Sequence, residues 1–137
     1  MKKSLIILMW FFGSVLSFGQ TVGKSSVTTQ ADSIYTSVEV KPEFVGGMKA
    51  FYNYVGANFK IPNVKGLSGK VFAQFVVEKD GSLSSVRVLR DIGHGTGKEA
   101  LRVLSNSPKW TPGLQNGVPV RVLYSLPINI TTPSKSN

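Results

Sequence analysis

The chain has 137 residues, a formal net charge of +9 and no cysteine. That length holds one modest domain with flanking segments. The missing thiols exclude disulfide stapling, thiol nucleophiles and zinc–thiolate sites, so an apolar core has to supply the stability.

The chain opens with Lys2 and Lys3, followed by a nearly unbroken apolar run from Leu5 to Leu16. Ser17-Phe18-Gly19 then sets small residues at the two positions that a signal peptidase reads, so residues 1–19 are expected to be a signal peptide cleaved before Gln20. The run is short for a membrane span, which needs about 20 residues; an uncleaved anchor is the alternative. No cysteine stands at the cleavage site, which excludes a lipoprotein anchor. Cleavage removes Lys2 and Lys3 and lowers the net charge from +9 to +7. Excess positive charge outside the cytoplasm suits acidic partner segments or cell-wall material as well as plain solvation. The lysines are scattered rather than clustered, which sets nucleic acid aside.

Residues 20–37 are rich in Ser, Thr and Gly and read as a flexible linker. The folded part is expected over 38–131, with a disordered tail at 132–137. A first helix should begin after Gly46-Gly47, because Met48, Phe51, Tyr52, Val55 and Phe59 form one apolar stripe and Pro62 ends any continuation. Tyr52 and Tyr54 cannot share a helix face, so one belongs to the core and the other to the surface.

The first strand is expected from Lys70 to Glu78. Val71, Ala73, Phe75 and Val77 lie on one face, with Phe72 and Val76 on the other. Apolar character on both faces predicts a central strand. Lys79-Asp80-Gly81 is a hairpin turn, and the second strand runs from about Leu83 to Arg90. Thr96 and Glu99 fit a capping box at the start of a second helix, whose inward stripe is Ala100, Val103 and Leu104. Ser107-Pro108 ends it, and Pro108 to Gly113 should form an extended, pinned connection. Asn116-Gly117 turns the chain into the last strand.

From Val120 to Ile130 every even position is apolar or aromatic: Val120, Val122, Tyr124, Leu126, Ile128 and Ile130. This is the period-2 pattern of a strand with one buried face. Pro127 lacks an N–H and argues for a sheet edge. The chain reversals predict an α+β fold, with two helices on one face of a three-stranded antiparallel sheet of order 2-1-3. The last strand is then an edge, and an edge strand invites another chain to pair with it.

These residues together resemble the C-terminal domain of TonB. Pro42-Glu43-Phe44-Val45-Gly46-Gly47 is similar to the family's opening Pro-x-Phe-Pro-Gly-Gly motif. Gly69-x-Val71 with Phe75-Val76-Val77 and Asp80-Gly81 is similar to its central hairpin. Glu99-Ala100-x-Arg102, Pro108-Lys109-Trp110-x-Pro112-Gly113, Gly117-x-Pro119-Val120 and Leu126-Pro127-Ile128 follow in the family's order. The resemblance implies a periplasmic, non-enzymatic module that grips a short N-terminal segment of outer-membrane TonB-dependent transporters, the TonB box, by adding it as a strand. It places the docking edge at Val120, Arg121, Val122, Leu123, Tyr124, Ser125, Leu126 and Ile128. Val45 replaces a common proline, and the linker is short and not Pro-rich. Coupling to the ExbB–ExbD proton channel would require the uncleaved anchor.

Other residues carry weaker signals. His94 has no partner in sequence for catalysis or metal binding and reads as a loop residue. Gly93, Gly95 and Gly97 lack the lysine–serine ending of a phosphate loop. Trp110 could stack on peptidoglycan, but its flanking prolines favour a place over the core. Arg121 has the best claim among the arginines to touch a bound segment. Pairing of two edges into a homodimer is a further expectation. No cofactor, metal site or catalytic constellation is expected.

Overall fold

The structure, a computed structural model, describes residues 32–134. The expected signal peptide, residues 20–31 of the linker and the last three residues of the tail lie outside that range.

Helix α1 spans Gly47–Asn58. The chain enters it through Gly46 at φ +91°, a left-handed conformation in which glycine has no side chain to clash. Phe51, Val55 and Phe59 are buried along one stripe. Of the two tyrosines, Tyr54 is the inward one. Its ring lies 5.7 Å from that of Phe44, and its hydroxyl donates to the Val103 carbonyl at 2.9 Å. Tyr52, which the sequence reading put on the apolar stripe, is 40% exposed at the stripe's margin.

Strands β2 (Ser68–Val77) and β3 (Leu83–Arg90) form the expected antiparallel hairpin. Asp80 Oδ1 accepts the Ser82 N–H at 2.9 Å, the short-range bond for which Asp is favoured in turns. Helix α2 spans Thr96–Ser105 and buries Ala100, Val103 and Leu104. Its start corrects the expected capping box. The N-cap is Gly95, and the Thr96 hydroxyl donates to the Gly93 carbonyl instead of accepting a helix N–H. Glu99 accepts the Lys60 N–H at 2.8 Å and the Arg102 guanidinium, tying α2 to the chain leaving α1. Those bonds hold its carboxyl down at about 2, with Arg102 the leading cause.

The connection from Pro108 to Gly113 is extended and pinned from two sides. Trp110 N–H donates to the Gly81 carbonyl at 2.8 Å, and Glu43 and Thr111 exchange backbone bonds. Trp110 is 2% exposed. Its ring centroid lies 5.3–5.6 Å from those of Phe44, Phe51, Phe75 and Tyr124 in edge-on contacts, an arrangement favoured by the ring quadrupoles. Strand β4 (Gly113–Gln115) then turns at Asn116-Gly117 into β5 (Val118–Thr131).

The two helices and the buried face of β2 and β5 enclose one core, which includes Val71, Phe75, Leu126, Ile128 and Ile130. Strand β2 lies between β3 and β5. The sheet itself corrects the three-stranded, wholly antiparallel expectation. A short strand β1, Ile34–Tyr35, pairs in parallel with Arg121 and Val122 on β5, and β4 adds a further antiparallel pairing. The result is a mixed sheet in which residues read as linker become a strand. Thr132, read as the start of the tail, is buried and donates its N–H to the Leu67 carbonyl at 2.8 Å.

Candidate functional site: the outer edge of β5

Alternation along β5 decides which groups a guest could meet. The side chains of Val120, Val122, Leu126 and Ile128 are buried, and Tyr124 is partly buried against the core. These five predicted binding residues are therefore structural in their side chains. Arg121, Leu123 and Ser125 project from the other face, as period-2 geometry requires.

The backbone follows the same parity. Strands β5 and β2 run in unbroken register from Ser68↔Thr131 to Val77↔Val122. Just past that ladder, Thr132 N–H reaches Leu67 on the β2 side. In an antiparallel ladder the bonding residues alternate, so even-numbered residues bond to β2 and odd-numbered ones present N–H and C=O outward. Pro127 is odd, and its missing N–H costs the ladder nothing there. From the same outer side, the Tyr52 hydroxyl donates to the Pro127 carbonyl at 3.2 Å.

The outer edge is thus divided. At Arg121 and Val122 it is occupied by β1. Pro127 offers no donor, and its carbonyl is covered. The parallel pairing of Tyr35 opposite Val122 runs through Arg121 and Leu123, so β1 also takes the Leu123 N–H. Beyond it the Leu123 carbonyl and both outward backbone groups of Ser125 have no strand partner among the described residues, and Asn129 keeps its own beyond the proline. The Ser125 hydroxyl is bonded to Gln74, which also receives Arg87, forming a polar line across the open face of the sheet.

Arg121 is fully engaged. Its Nε donates to Glu78 Oε2 at 2.7 Å, a second nitrogen donates to Oε1 at 3.0 Å, and the third reaches the Asp32 carbonyl at 3.0 Å. The forked contact holds the Glu78 carboxyl below the usual carboxylate range, with the Ser84 hydroxyl helping against partial burial. Arg121 therefore clamps β1 onto β5 where the sequence reading assigned it to a bound segment.

The family comparison follows this geometry. The sequence model of the family described as "Gram-negative bacterial TonB protein C-terminal" matches residues 63–131, from the approach to β2 through the end of β5. The chain belongs to the TonB C-terminal family. It is a TonB-like periplasmic domain of TonB-dependent transport, in a family that interacts with outer-membrane transporters. Comparisons with curated proteins and with solved structures gave no match.

Two features of the TonB-like edge escaped the sequence reading. Ile34-Tyr35 is an apolar pair inside a Ser/Thr-rich stretch, a faint signal for a strand. Tyr52 fits the apolar stripe because it sits four residues after Met48, and spacing alone leaves open which of Tyr52 and Tyr54 faces the core. The remaining sequence candidates lie apart from the edge. His94 is exposed in the loop before α2 at φ +55°. Burial of Trp110 removes it as a stacking platform for a sugar polymer. No cluster of metal-ligating side chains occurs among the described residues.

Proposed function

We propose that this domain is a non-enzymatic docking module that captures extended N-terminal segments of outer-membrane transporters along the outer edge of β5. One observation carries the reading: β1 is already an extended segment lying in parallel on that edge. The edge therefore accepts a strand there, and the free Leu123 carbonyl and the free groups of Ser125 continue the same line. Main-chain bonds supply affinity in this mode, and side chains beside the edge supply selectivity. A guest begins at Leu123 or replaces β1, and it is halted at Pro127.

A Ser125→Pro substitution tests this, because it removes one outward N–H that β1 does not use and leaves the β2 ladder intact. Binding of peptides copied from transporter N-terminal segments should weaken about tenfold, the cost of roughly one charge-free hydrogen bond and local misfit. Unchanged affinity in a variant with native circular dichroism refutes the docking edge.

A further inference from the structure

The border of the sheet opposite β5 is β3, and among the described residues no strand pairs with its outer side. A groove of about 540 Å³ runs along it, lined by Val86 through Arg90 on the strand, by Asp91 just past its end, and by Gly97, Lys98 and Leu101 on α2. An unbroken run of strand residues along one groove places it on the backbone edge, since successive side chains point to opposite faces. The groove begins just after Ser85, whose φ of +48° accompanies a break in the β2–β3 register. That bulge bends the start of the strand away from further pairing. A second break leaves Leu89 as an extra residue between Val88 and Arg90, so the regular stretch of the border is Val86 to Val88 with Leu89 bulged at its end.

Two observations define what fits there. Leu89 is 55% exposed and Leu101 39% exposed, and neither packs on the core. Leu89 shares the open sheet face with Arg87, while Leu101 stands on the helix across the groove. A strand laid against β3 would send alternate side chains to these two sides. The charge is one-sided as well. Arg87 is bonded only to the neutral Gln74 amide, and Arg90 and Lys98 have no ion pair among the described residues. The one acid of the groove, Asp91, accepts the Gly93 N–H of its own loop. Unpaired cations beside apolar ground favour a ligand with carboxylates between apolar residues.

We infer that the β3–α2 groove is a second docking surface, separate from β5, and that it takes an extended acidic segment of a partner protein as an added strand. Main-chain pairing to β3 holds the segment. Apolar side chains cover Leu89 and Leu101, and carboxylates face Arg87, Arg90 and Lys98. A second copy of this chain is a poor occupant, because pairing β3 with β3 would bring like cations together.

The test uses isotope-labelled protein and two short capped peptides, one alternating glutamate with valine and leucine, the other with lysine in place of every glutamate. The glutamate peptide should shift the amides of Val86–Asp91 and of Lys98–Leu101, and bind about tenfold or more tighter than the lysine peptide at low salt. Arg90→Glu and Leu101→Asp, both at exposed positions, should each weaken it about tenfold. Shifts centred on Leu123 and Ser125, equal binding of the two peptides, self-association in sedimentation without peptide shifts, or no shift at millimolar glutamate peptide would each overturn the inference.

Discussion

Gly81 and Gly117 have similar backbones and opposite surroundings, which allows strain and contact to be separated by experiment. Both are left-handed, at φ +86° and +74°. A methyl group added at Gly117 meets nothing within 4 Å. The same group at Gly81 would overlap the Trp110 carbonyl oxygen and lie 2.9 Å from its carbon. The obstacle is backbone, held by the Trp110 N–H to Gly81 carbonyl bond at 2.8 Å, so it cannot swing away as a side chain tip would. Gly117→Ala should cost about 1 kcal/mol, the left-handed penalty alone. Gly81→Ala should cost that penalty plus about 1 kcal/mol for the broken hydrogen bond and about 1 kcal/mol for the Trp110 ring shifted within its close-packed cluster. The gap is about 2 kcal/mol. With a urea slope of about 1–3 kcal/mol per molar for a small domain, the two midpoints should stand about 1 M apart. Urea unfolding followed by far-ultraviolet circular dichroism reads this directly. Equal midpoints with equal slopes would refute the claim that the β2–β3 turn braces the Trp110 connection.

Glu99 makes stability depend on acid. Its folded carboxyl sits at about 2 against an ordinary 4.5, so the contribution is complete above about pH 4.5 and is lost as pH falls through about 2. In thermal melts from pH 7 to pH 2, Glu99→Gln should lower the melting temperature near neutrality and flatten its decline between those values; a parallel decline in both proteins would remove Glu99 as a cause. Deleting the chain through Tyr35 removes the occupant at Arg121 and Val122, held by one short parallel pairing and the Arg121–Asp32 bond. If a transporter segment extends over those residues, calorimetry should record about fivefold tighter binding, the equivalent of roughly 1 kcal/mol. Unchanged affinity would mean that guest and β1 do not overlap.

What could be read from the sequence depended on how local the cause was. The alternation from Val120 to Ile130 and the two-faced apolar pattern of residues 70–78 are local, and they give β5 and β2 directly. The turn residues Asp80-Gly81 and Asn116-Gly117 act equally locally. Strand β1 was not legible, because two residues carry no periodicity and are made a strand by a distant arginine. Tyr52 and Tyr54 both satisfy helical spacing, one from Met48 and the other from Phe51. The choice between them is made by Phe44 and the Val103 carbonyl, far along the chain. The capping box failed because Gly93, His94 and Gly95 are all left-handed. They bring Thr96 back onto the Gly93 carbonyl, and Glu99 is drawn away by Arg102 and Lys60.

The Tyr52–Pro127 contact also bears on solubility. A strand of 14 residues on a sheet border is long enough to template stacking of many copies. Such stacking typically needs about six consecutive residues with free backbone groups. Here β1 closes one end and the proline with its tyrosine cover interrupts the middle, so every open stretch stays shorter than that. The border can hold a brief guest without seeding a fibril.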